Sequence, residues 1–244
     1  MEDVSIRLPA ASPATYLRYL EWWRDLARFL ERDAGLKERS RAMGGPVDAL
    51  AVQVLGPTHA SEIDTQARGA LNRGDAEVAP VITGRPVLWR IALTYADRRM
   101  AWLRDLARER TDVPPIESDV DALRASIHQA VRAALDALPV ILDIQPLDRP
   151  GTFRLAGELD LSNAEELYEL LASELKSGYR LFLDLSGVSF MDSNGIRVLI
   201  RLARAAQQMD LSPVVLTSAS AAVHRVLDIA LPSGMPGLEV RPEG

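Results

Sequence analysis

The four residues Asp192-Ser193-Asn194-Gly195 put a hydroxyl between a carboxylate and a carboxamide, at the joint between the apolar run "LFLDL" and the amphipathic run from Ile196 to Met209. A serine at such a joint opens a helix, and three chemistries are open to it there. Its oxygen can cap the helix by accepting a backbone N–H. It can accept a phosphoryl group, whose oxygens suit the unpaired N–H groups and positive dipole end of a helix N-terminus. Or it can act as a nucleophile, which demands a neighbouring base and an oxyanion hole. The third fits worst: there is no G-x-S-x-G, and no histidine lies close to Ser193 in sequence, the three being His59, His128 and His224. Cysteine is absent, which excludes disulfides, thiolate zinc sites and cysteine nucleophiles. With neither a Walker loop nor a G-x-G-x-x-G, the chain reads as a kinase's substrate and not as a kinase.

The elements that must hold this serine follow from the pattern after Pro139. "VILDIQPLDRPGTFRLAGELD" reads as two strands joined by the turn Asp148-Arg149-Pro150-Gly151. Ser162-Asn163-Ala164-Glu165 has the form of a capping box, opening a helix that places Leu167, Leu170, Leu171 and Leu175 on one face and closes at Gly178. "LFLDL" is a strand of the kind buried in a parallel sheet, "SPVVLTS" and "SAAVHRVLDIA" repeat the strand-then-helix order, and "GLEVRP" is a last edge strand. This alternation predicts an α/β fold, a mixed sheet with helices mainly on one face. Asp184, inside the apolar strand, is expected to accept backbone N–H bonds, and His224 is read as a surface or satisfied residue.

Residues 1–138 carry a different pattern, and predict a mainly helical domain. Ser12 and Pro13 open a helix with Tyr16, Tyr19, Leu20, Trp23, Leu26, Ala27 and Leu30 on one stripe, and Gly35 is expected to end it. A second helix starts at Pro86. A third, capped by Ser118, spaces Leu123, Ile127, Val131, Ala134 and Leu138 by threes and fours, a stripe that suits the core of its own domain better than a partner helix. The stretch 40–85 is left unassigned. Residues 22–28 and 102–108 agree at all but one position, which a shared amphipathic helix explains.

Length and charge bound the rest. A chain of 244 residues predicts two domains, placed here at 1–138 and 139–244. The net charge of −6 discourages direct nucleic-acid binding, and the acidity is concentrated after Pro139, where 9 Lys+Arg face 14 Asp+Glu. No apolar run approaches the roughly 20 residues of a membrane span, and the acidic N-terminus is unlike a secretory signal, so a cytoplasmic location without membrane association is expected.

"FRLAGELDLSNAEEL", "LFLDLSGVSFMDSNGIRVLI" and "SPVVLTSASAAVHRVLDIA" are similar to the three signature stretches of the STAS domain in its bacterial anti-sigma factor antagonist form, over about residues 139–242. The resemblance implies that Ser193 is the phosphoacceptor of a partner that is both serine kinase and anti-sigma factor. Unmodified, the domain would bind that partner and free a sigma factor; phosphate would end the complex. Asn194 stands where the family usually has a second Ser or Thr, which removes an alternative acceptor. Asp160, Asp192, Asn194 and Gly195 are assigned to the partner surface, with capping of the next helix as the second reading of Asp160. No catalytic residue, cofactor or metal is implied. A serine phosphatase and a second copy of the chain complete the candidate partners. The alternative function is a subunit of a stress-signalling scaffold that joins a helical sensor to a C-terminal STAS domain; its two-domain order is similar, but its acceptor loops contain Thr. The resemblance does not extend to residues 1–138, of which a sensory or regulatory role is expected.

Overall fold

In the computed structural model, which describes residues 3–44, 57–231 and 233–241, Ser12 accepts the Thr15 N–H at 3.1 Å and Pro13 takes the first helical position, starting α1 (Pro13–Arg32). Its buried stripe is Tyr16, Tyr19, Leu20, Trp22, Leu26, Phe29 and Leu30. Trp22 takes the core position expected of Trp23, which is half-buried beside it. Gly35 does not end this helix. The Asp33 carboxylate accepts the N–H groups of Gly35 (2.9 Å) and Leu36 (3.1 Å), so Asp33 separates α1 from α2 (Ala34–Gly44) and Gly35 lies in the first turn of the latter.

α3 (Pro57–Arg73) falls in the stretch that periodicity left open, whose residues 45–56 lie outside the described ones. Two short antiparallel strands, β1 (Val4–Arg7) and β2 (Val81–Gly84), flank α1 to α3 in sequence. α4 starts at Pro86, as its type dictates, and runs to Glu109. In α5 (Ser118–Asp136), Ser118 is already helical; Glu117 holds the N-cap position without a side-chain cap and pairs with Arg18 instead. Leu123, Ile127, Val131 and Leu135 are buried in one core with α1 and α4, so the stripe serves its own unit. The repeated heptapeptide has a shared local logic: Trp22 and Trp102, Leu26 and Leu106 are buried, and Asp25–Arg28 and Asp105–Arg108 form the same surface ion pair.

The chain divides at Leu138, where Glu2–Leu138 ends and a second unit, Pro139–Gly244, begins. Its elements are β3 (Leu142–Pro146), β4 (Thr152–Leu159), α6 (Ala164–Lys176), β5 (Phe182–Met191), α7 (Ser193–Gln208), β6 (Val214–Ala219), α8 (Ala221–Ala230) and β7 (Leu238–Val240). The sheet order is β3-β4-β5-β6-β7, with β3 antiparallel to β4 and the other pairs parallel. Each parallel connection steps one strand in the same direction through one helix. Crossovers of the usual right hand then place α6, α7 and α8 on the same face. Phe153, Leu155, Leu183, Leu185 and Leu216 in the strands and Leu167, Leu171, Leu199 and Leu202 in the helices are buried and make the core.

Two local expectations are corrected here. The capping box does not form: Ser162 Oγ donates to Asp160 (2.6 Å), and Glu165 binds Arg201 of α7 through both oxygens, at 2.5 and 3.0 Å. That guanidinium also lies 3.6 Å above the Tyr168 ring, so the glutamate ties two helices together where a capping box would tie one to itself. And β5 runs on for ten residues, well past "LFLDL". Asp184 therefore sits inside the strand, at a register shift, accepting the Ser186 N–H (3.0 Å) and Oγ–H (2.6 Å) and pairing with Arg154 on β4 at 2.8 Å. Burial opposes its charge, but these donors outweigh it and hold its carboxyl below the ordinary value.

Candidate functional site

β4 and β5 are parallel and end together, with Leu159 opposite Met191. The Asp192 N–H donates to Leu159 O at 3.1 Å, so the residues that follow each strand, Asp160 and Asp192, leave the sheet side by side. Gly157 serves the pairing on the other side of β4, with β3. Its φ is +107°, and a Cβ there would lie 2.2 Å from Ile141 O, so the backbones of β3 and β4 meet closely only without a side chain.

At the start of α7 the cap is Asp192, not Ser193. Asp192 Oδ1 accepts the N–H groups of Asn194 (2.7 Å) and Gly195 (3.1 Å), and Oδ2 accepts Asn194 Nδ2 at 2.9 Å. The Leu161 N–H reaches the same carboxylate from the neighbouring loop. Burial works against the charge, yet the four donors prevail, and the Asp192 carboxyl stays below its ordinary range and ionised at neutral pH. Gly195 is buried because α7 comes down onto the strand ends: a Cβ would meet Met191 Cγ at 2.6 Å and Leu159 Cγ at 2.9 Å.

This leaves Ser193 as the first helical residue, exposed, its hydroxyl in no hydrogen bond among the described residues. Of the N–H groups expected to be free for a phosphate, those of Asn194 and Gly195 are already taken by the Asp192 carboxylate. No histidine is hydrogen-bonded to Ser193; His224, on α8, is half-buried. Asp160 shapes its own loop and does not cap α6: its Oδ1 accepts the Ser162 N–H (2.8 Å) and Oγ–H, while Asn163, the N-cap residue of α6, binds the Asp160 N–H (3.2 Å) and donates to Glu158 O (2.8 Å). That tight loop pushes Leu161 outward, where it is 76% exposed.

Three further residues belong to this surface and escaped the reading of the sequence. Leu161 and Phe190, the latter 49% exposed, are large apolar side chains at the ends of the two strands that carry the acidic pair. Arg197, one turn beyond Ser193, is exposed and donates to Asn194 Oδ1 at 3.3 Å. A large apolar residue directly after the loop aspartate was the available signal for Leu161. Among the described residues no helix is long and apolar enough to cross a membrane.

The family model of the STAS domain matches residues 142–231. The unit that carries Ser193 is thus a STAS domain, with the five-stranded mixed sheet described above.

Proposed function

We propose that the chain is an anti-sigma factor antagonist switched by phosphorylation of Ser193. The observation that carries the reading is the division of labour at the start of α7: Asp192 does the structural work of the cap, and the adjacent hydroxyl is left exposed and unbonded. A serine needed only for the helix would be the cap itself. The exposed Leu161 and Phe190 beside it offer the apolar contact that a partner surface requires, in a domain type that commonly engages other proteins. A phosphate adds about −1.5 to −2 charges beside an ionised Asp192, and a loss of ~1.4 kcal/mol already weakens a complex tenfold. No backbone rearrangement is needed for such a switch.

The test is incubation of the full chain with its anti-sigma kinase and ATP, followed by mass spectrometry and a binding titration. Phosphate is expected on Ser193, with Ser193→Ala staying bound in the presence of ATP and Ser193→Asp binding more weakly. Phosphate on another residue, or equal affinity of the Ala and Asp forms, would overturn the assignment. Light scattering separates the scaffold alternative: a megadalton particle would favour it over a monomeric or dimeric antagonist.

A further inference from the structure

Asp192 occupies the N–H groups of Asn194 and Gly195, so a phosphate on Ser193 would find an ionised carboxylate beside it and those helix-start donors already used. The counter-charge must come from a side chain, and α7 supplies one at the right spacing. Arg197 is four residues on, one turn along the same face, where side chains in a helix meet. It is exposed, has no carboxylate partner among the described residues, and is already folded back toward the helix start, its only hydrogen bond there being the 3.3 Å contact from Nη1 to Asn194 Oδ1. The next arginine along, Arg201, is held by Glu165 and Tyr168, and Arg204 lies a further turn away. The charged side chains at the two strand ends and in the first turn of α7 are Glu158, Asp160 and Asp192 on the negative side and Arg197 on the positive side.

We propose that Arg197 is the internal partner of a phosphate on Ser193, and that modification draws its guanidinium off Asn194 onto the phosphate oxygens. The inference rests on Ser193 as the acceptor. It changes what the switch does: the modified loop gains charge and also withdraws an exposed arginine and uncovers the Asn194 carboxamide oxygen, whose Nδ2 stays on Asp192. A partner that reads the unmodified loop then meets three changes at once. The guanidinium's planar pair of donors fits phosphate oxygens bidentately, which a neutral contact to a carboxamide does not match.

The experiment needs no kinase. Phosphoserine is installed at position 193 of the full chain by genetic encoding, and its second ionisation is followed by phosphorus NMR across pH 4–8. In the wild-type background the midpoint is expected about half a pH unit or more below that of Arg197→Gln, with Arg197→Lys between them and Arg204→Gln indistinguishable from wild type. Equal midpoints in wild type and Arg197→Gln, or an equal rise in Arg204→Gln, would overturn the proposal, the latter because it would show only the general field of α7. Failure of a cellular kinase to modify Ser193 would sink the proposed function and leave this titration untouched.

Discussion

Ser193 and Asp192 are adjacent, yet the fold gives them opposite duties, and substitution should separate them. Asp192→Ala removes the acceptor of two backbone N–H groups and of the Leu161 N–H, and is expected to cost about 0.5–2 kcal/mol or somewhat more, since a donor from a second loop is orphaned as well. Ser193→Ala removes an unbonded exposed hydroxyl and should stay within about 0.5 kcal/mol of wild type. Chemical denaturation of both variants checks this. A Ser193→Ala loss as large as that of Asp192→Ala would mean that the serine holds the helix after all. The same geometry predicts that stability and partner binding respond to different residues of one loop.

At the scale of the elements, α6 carries an unusual burden. Glu174 is completely buried on it, and neither carboxyl oxygen makes a hydrogen bond. Burial pushes its carboxyl up to about 7, against a smaller pull from the Gly151 N–H, which approaches without reaching hydrogen-bond geometry. The sign follows from proton uptake. Well below pH 4.5, Glu174 is protonated folded or unfolded and carries no ionisation penalty. As pH rises toward 7 the unfolded chain releases the proton while the folded chain keeps it, so stability falls; above 7 the penalty, on the order of 3 kcal/mol, is fully present. Glu174→Gln should therefore gain clearly on wild type between pH 3.5 and pH 8, with the two nearly equal at about pH 3.5, by denaturant midpoint. Equal midpoints at both pH values would show that the carboxyl is not desolvated as the fold implies.

For the whole molecule, the division at Leu138 gives each unit its own core, and residues 139–244 alone should fold, with a cooperative thermal transition by circular dichroism. A fragment without one would show that the two units share their stability. The alternation of strand and helix after Pro139, the turn at Asp148–Gly151 and the helix starts at Ser12 and Pro86 were legible in the sequence, because period and local turn chemistry act within a few residues of the chain. The caps at Asp33 and Asp192 were not, since in each case the carboxylate that wins the N–H groups is chosen by where the preceding element ends. Glu165 was misread for a related reason: Arg201 lies 36 residues away in sequence and competes for it only after α6 and α7 pack. Ser193 itself was singled out by residue type and spacing. That it is exposed and unbonded, with Asp192 taking its structural role and Leu161 and Phe190 exposed at the neighbouring strand ends, depends on the parallel pairing of β4 and β5, which brings two distant strand ends to one place and lets donors from both loops share one acceptor, the Asp192 carboxylate.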